Sequence, residues 1–222
     1  MTFFKRGYDQ LDKIEKEIAE RQRNGLFRFW LPADENDERE IVFLTDNPPI
    51  IEEHQLRING DWKNWYTCPK NADPDAYCPL CENGDNPYTV GFYVILDRTG
   101  YIATKGENKG KRVGKDRVMV LPAKFGSLKE FKRYSKKLGG LEGLSFDVAR
   151  TDSSKASIGD SWMTMGKRYS VEELEEIIGK PLDEVIPDWN EYLAIKPIKE
   201  LEALVGNQKS EYEDEDRVDF SD

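Results

Sequence analysis

Histidine and cysteine are nearly missing from this 222-residue chain, which has one of the first and three of the second. If that one histidine serves as a metal ligand, none is left for a Ser/His/Asp arrangement. The chain has neither a G-x-x-x-x-G-K phosphate loop nor a G-x-G-x-x-G turn opening a helix after a strand. An odd cysteine count leaves one thiol over, which argues against a disulfide framework. Nowhere do about 18 uncharged apolar residues follow one another, so no membrane-spanning helix is expected. The opening Met1-Thr2-Phe3-Phe4-Lys5-Arg6 has no apolar run long enough for a secretory leader. With the chemistry of hydrolysis absent, the chain reads as a binder and not as an enzyme.

The scarce residues are concentrated. His54, Cys68, Cys78 and Cys81 fall within one window of 28 residues. Tetrahedral zinc takes four such donors, and Cys78-Pro79-Leu80-Cys81 has the spacing that lets two thiolates grip one ion from a tight turn. With all four donors used in closing the shell, one structural zinc is expected, not a catalytic one, because catalytic sites keep a corner open for water. Asp34, Glu35, Asp37, Glu38 and Glu40 lack an EF-hand spacing and read as a solvated acidic loop.

Charge is uneven along the chain. The net formal charge of −10 combines −7 over residues 1–87, +8 over 88–150, −6 over 151–206 and −5 over 207–222. A basic centre between acidic flanks suits a phosphate-binding core with a detachable acidic tail, although charge runs are also common as solvated faces.

Residues 1–25 read as a basic arm, Lys5-Arg6, followed by an amphipathic helix from Tyr8 to Arg23 with Leu11, Ile14 and Ile18 on its apolar stripe. Extended segments follow at Phe27 to Leu31, Arg39 to Leu44 and Ile50 to Ile58, with a tight turn at Asn59-Gly60-Asp61. Residues from about 52 to 87 then look like a loop-rich insertion braced by the ion. Tyr88 to Asp97 alternates with apolar residues on both faces, the mark of a central strand. Lys105 to Arg117 is a flexible basic loop or hairpin wing, and Val118 to Leu121 a short strand. A capping box at Ser127 and Glu130 predicts a helix ending at Gly139-Gly140. Phe146 to Arg150 and Trp162 to Met165 look like closing strands, and Ser170 with Glu173 caps a second helix. Residues 207–222 are too charged to pack and are expected to be disordered. The expected fold is mainly β (α+β): a five-stranded, oligonucleotide-binding (OB) type barrel over residues 26–206, with the zinc loop and short flanking helices.

Aromatic rings, Phe125 among them, are interleaved with cations between Trp62 and Tyr134. Unpaired bases stack on such rings while Lys and Arg follow the phosphates. The expected nucleic-acid contacts are Trp62, Lys63, Trp65, Tyr66, Tyr88, Tyr93, Arg98, Tyr101, Lys105, Lys109, Lys111, Arg112, Lys115, Arg117, Lys132, Arg133, Tyr134 and Lys136. Phe92 and Phe131 read as core.

On His54, Asn59-Gly60, Trp62, Tyr66, Cys68 and Cys78-Pro79-Leu80-Cys81, in that order, the chain resembles the zinc-containing single-stranded DNA-binding, helix-destabilising proteins of T-even-like bacteriophages. Arg39 to Leu44 and Tyr88 to Asp97 add to the likeness, which covers residues 27–165. The resemblance implies sequence-independent binding and protection of single-stranded DNA during phage replication, recombination and repair, in the cytoplasm of the infected host. It implies self-association through the N-terminal basic segment, here Lys5 and Arg6. It also implies a tail, here with Asp219 and Phe220, that contacts polymerase, helicase or helicase loader. Two rival readings stand beside it: a cofactor that holds a melted promoter and recruits RNA polymerase, and a zinc-stabilised protein-interaction module.

Overall fold

The computed structural model describes residues 26–32, 38–58 and 61–205, with only the backbone of Asp61 and Lys63. The expected N-terminal helix, Lys5, Arg6, the Asn59-Gly60 turn and the acidic tail with Asp219 and Phe220 lie outside the described residues.

Strand β4 (Tyr88–Asp97) is buried without interruption from Val90 to Asp97. An alternating sequence with apolar residues on both faces needs partners on its edges and layers above and below, as the sequence predicts for a central strand. The structure divides into two compact units, and β4 gives its first five residues to one and its last five to the other.

The first unit comprises Tyr93–Pro122, Tyr134–Asp188 and the described part of the first 47 residues. Here β1 (Arg39–Phe43) lies antiparallel to β4, with Ile41 opposite Asp97 and Phe43 opposite Ile95. On its other edge β1 pairs with β8 (Leu144–Ala149), which pairs in turn with β9 (Ser161–Arg168). Phe43 anchors the core edge-on to Tyr93 at 5.3 Å and to Phe146 at 5.6 Å. Two short strands, β5 (Tyr101–Ile102) and β6 (Arg112–Val113), form the expected basic hairpin. Helix α3 (Val171–Ile178) has its predicted cap: Ser170 accepts from the Glu173 amide, the Glu173 carboxylate accepts from the Ser170 amide, and Gly179 closes it at φ 76°.

The second unit comprises Pro48–Phe92, Ala123–Arg133 and the described part of the chain from Trp189 onward. Strand β2 (Ile50–Ile58) pairs with the first half of β4 and, on its other edge, with β3 (Asp61–Thr67), where His54 lies opposite Tyr66. Gly91 in β4 admits the helix that follows β7 (Arg117–Lys124), because a Cβ there would stand 2.5 Å from Leu128 Cδ2. Phe92 packs against Trp189 and Tyr192 of the short helix α5 (Trp189–Tyr192), which follows α4 (Leu182–Val185).

Four expectations change. The fold is mostly antiparallel β with short helices, but nine strands are described instead of five or six. Among the described residues no pairing closes the sheet into a barrel: β3 has only β2 as a strand partner and β9 only β8. Closure requires the end strands to pair, and a period-2 pattern reports strands without reporting partners. The helix expected from Ser127 instead runs from Phe125 to Leu138 (α2), so Ser127 and Glu130 lie inside it and cap nothing. At Phe27 to Leu31 a single bridge, Arg28 to Val120, stands in place of a strand.

Candidate functional site

In the β2–β3 hairpin the side-chain period of two puts His54, Leu56 and Ile58 on one face, with Tyr66 beside His54 on that same face. Two residues beyond Tyr66, Cys68 continues it. Cys68 is pinned there by its own amide, which donates to Glu52 O at 3.0 Å. Asn71 closes the following turn, donating to Cys68 O and to Glu52 O and accepting from the Glu52 amide, each at 2.7 Å. Helix α1 (Pro79–Glu82) supplies the other two thiols: Cys78 is its N-cap, held in extended backbone before a proline, and Cys81 is one turn on.

The four donor atoms of His54, Cys68, Cys78 and Cys81 all lie within 4.8 Å of one another. His54 Nε2 is 3.5 Å from Cys78 Sγ and 3.6 Å from Cys81 Sγ, and the Cys68 and Cys81 sulfurs are 3.8 Å apart. All three cysteines are free. His54, Cys68 and Cys78 are buried, among Leu56, Leu80 and Leu201, with Leu204 and Val205 packed against them. Burial pushes the Cys68 thiol up and pushes Cys81 up to about 12, where the neighbouring thiols add to the effect. Thiols raised in this way are poor sites for negative charge by themselves, and a cation at the centre of the cluster would supply the missing stabilisation. The cluster can hold one metal ion.

The expected nucleic-acid contacts divide between the two units. In the second unit Trp62 is 55% exposed, while Trp65 and Tyr66 are half-buried and Tyr66 leans on the metal cluster. Lys63 is placed by its backbone in β3. Tyr88 donates its hydroxyl to Glu53 Oε2 at 2.9 Å and has Lys124 Nζ over its ring at 4.1 Å. Lys132 and Arg133 are exposed on α2, Arg133 within 3.4 Å of Glu130.

In the first unit Tyr101, Lys105, Lys109, Lys111, Arg112 and Lys115 are all exposed on or beside the β5–β6 hairpin, and Arg112 ties its base by donating to Gly100 O at 3.0 Å. Lys136 is exposed on α2. Arg117 is half-buried and lies over the exposed Phe27 ring at 4.1 Å. Three expected contacts have other work. Tyr93 is only 3% exposed and belongs to the core, so it is not a stacking platform. Tyr134 is half-buried, with its ring 5.6 Å from Phe146. Arg98 pairs with Asp116 at 2.8 Å and covers Tyr169.

Exposed rings missing from the expected contacts are Phe27 and Trp30 in the first unit and Tyr77 and Phe125 in the second, where Lys129 Nζ sits 4.3 Å from the Phe125 centroid. Phe27 and Phe125 each adjoin a cation in the sequence, Arg28 and Lys124, whereas Trp30 and Tyr77 carry no such mark. Asp85 was missed too, although its Oδ2 lies 2.5 Å from His54 Nδ1. No family model matches the chain, and no curated protein matches it.

Proposed function

We propose that the chain binds single-stranded nucleic acid without reading its sequence, on a scaffold braced by one structural zinc. The observation that carries the binding is the β5–β6 hairpin. In a chain of net charge −10 it exposes Lys105, Lys109, Lys111, Arg112 and Lys115 beside the exposed ring of Tyr101. Exposed lysines and arginines release counterions when they meet phosphates, and rings with free faces take unpaired bases at roughly 1–3 kcal/mol each. Phe27 and Trp30 in the same unit, and Trp62 and Phe125 in the other, are further exposed rings, with Arg117 over Phe27 and Lys129 over Phe125.

Zinc is supported by the donor set and by its spacing. Zn–S bonds of about 2.3 Å and a Zn–N bond of about 2.0–2.1 Å at tetrahedral angles require S–S edges of about 3.8 Å and S–N edges of about 3.5–3.6 Å. In the structure the Cys68–Cys81 edge is 3.8 Å, and the edges from His54 to Cys78 and Cys81 are 3.5 and 3.6 Å. With four protein donors and no open corner, the ion's contribution is to folding.

The finer reading follows the resemblance to the phage helix-destabilising proteins: an OB-type core that coats and protects single-stranded DNA, and a tail that recruits replication proteins. The tail's seven acidic residues complement the basic centre. Without DNA they occupy it; when DNA displaces them, Asp219 and Phe220 become available to partners. Anisotropy of a labelled oligothymidine tests both parts. The account predicts that the full chain binds, and that deleting residues 207–222 tightens binding most at low salt, where charges are least screened. No binding by either form contradicts the function; equal affinity of the two contradicts the tail's part in it.

A further inference from the structure

We propose that Asp85 is a positioning residue for the metal. Its carboxylate accepts a hydrogen bond from the Nδ1–H of His54 and so fixes the neutral ring with its Nε2 lone pair towards the ion. The inference rests on the metal reading above and extends it to a residue outside the four ligands.

A neutral imidazole carries one hydrogen, and the partner of one ring nitrogen decides which nitrogen is left to bind a metal. In His54 the two nitrogens are already sorted. Nδ1 is 2.5 Å from Asp85 Oδ2, and Nε2 faces the sulfurs of Cys78 and Cys81 at 3.5 and 3.6 Å. The ring is fully buried, so with the carboxylate in place Nδ1 is shielded from bulk water. Charge balance does not explain Asp85. A dication with three thiolates is already net negative, and a carboxylate makes it more so. What the carboxylate supplies is an acceptor aimed at one hydrogen.

The backbone accounts for its placement. After α1, Gly84 turns left-handed at φ 89°; its amide donates to Cys81 O at 2.9 Å, and the Asp85 amide donates to Leu80 O at 3.0 Å. These are the two bonds of a Schellman motif. The turn that ends the cysteine helix therefore also throws Asp85 back onto His54. Cys78-Pro79-Leu80-Cys81-Glu82-Asn83-Gly84-Asp85 is one device: it supplies two ligands and orients a third that comes from β2.

Because His54 is the only histidine, long-range proton–nitrogen NMR of the zinc-loaded full chain reports on a single ring. The expected spectrum shows Nε2 bound to metal and Nδ1 protonated and slow to exchange. Chelator competition should show Asp85→Ala binding zinc roughly 10–100-fold more weakly than wild type, with the cobalt-substituted protein keeping its thiolate bands because all four ligands remain. Asp85→Asn, which preserves size and one acceptor, should lie between. Binding of the Ala variant within about twofold of wild type, where that variant folds, overturns the inference. So does coordination through Nδ1, which is read without any substitution. If wild-type protein takes up no stoichiometric metal, the metal reading itself fails and takes this inference with it, an outcome distinct from wild-type uptake with indifferent Asp85 variants.

Discussion

Tyr93 stands at a position where ring chemistry and ring environment part company. As a tyrosine in a basic stretch it reads as a stacking platform; in the fold its ring meets Phe43 edge-on and is buried. Burial, with the Asp46 carboxylate adding to it, pushes its phenol up to about 12 from an ordinary value of 10.0. The folded chain then holds a proton that the unfolded chain releases earlier. Stability from this group is complete below pH 10 and falls as the pH rises towards 12. Tyr93→Phe should remove a late tyrosinate step from a spectrophotometric titration and flatten the alkaline loss of stability; an unchanged titration contradicts the assignment. The four residues of the candidate metal site were legible because histidine and cysteine are rare here and stand close together. Asp85 was not, because one carboxylate among 43 acidic residues carries no mark until the turn at Gly84 aims it.

Among the elements, the β2–β3 hairpin, helix α1 and the helical residues 198–205 pack around the candidate metal site, and on the structural-zinc proposal they depend on its ion. Leu201, Leu204 and Val205 pack on the same cluster as Leu56 and Cys68. A unit whose core is partly made of ligands loses its organisation with its ion. Chelation should therefore strip amide protection from β2, β3 and 198–205 in hydrogen exchange; protection that survives removal of the metal contradicts a structural role. The β5–β6 hairpin makes a separate prediction, since its lysines touch phosphate and not bases in this account. Lys111→Ala should weaken binding about equally across sequences and lower the salt slope by about one. A loss confined to certain sequences contradicts it. Strands were readable where side chains alternate, as in β2 and β4. The start of α2 was misread because Ser127 and Glu130 have the right spacing for a cap without being at a helix end. Strand pairing was not readable, because alternation fixes which face is buried and not which neighbour is bonded.

For the whole chain, net charge is a poor guide and its distribution a better one. A sum of −10 hides a centre of +8 over residues 88–150, and five of those cations stand exposed at the β5–β6 hairpin. That centre was visible in the sequence. The division into two compact units was not, because it cuts through the middle of one continuous strand at Phe92 and Tyr93, where composition does not change. The central claim is that exposed rings beside exposed cations grip unpaired bases, and tryptophan emission reports on it most directly, with Trp30 at 52% and Trp62 at 55% exposure. Oligothymidine and a duplex of equal length would each be titrated into the full chain at about 50 and about 200 mM salt. The account predicts strong quenching by the single strand, weaker affinity at the higher salt and little response to the duplex. Unchanged emission with oligothymidine, or tighter binding of the duplex, would contradict it.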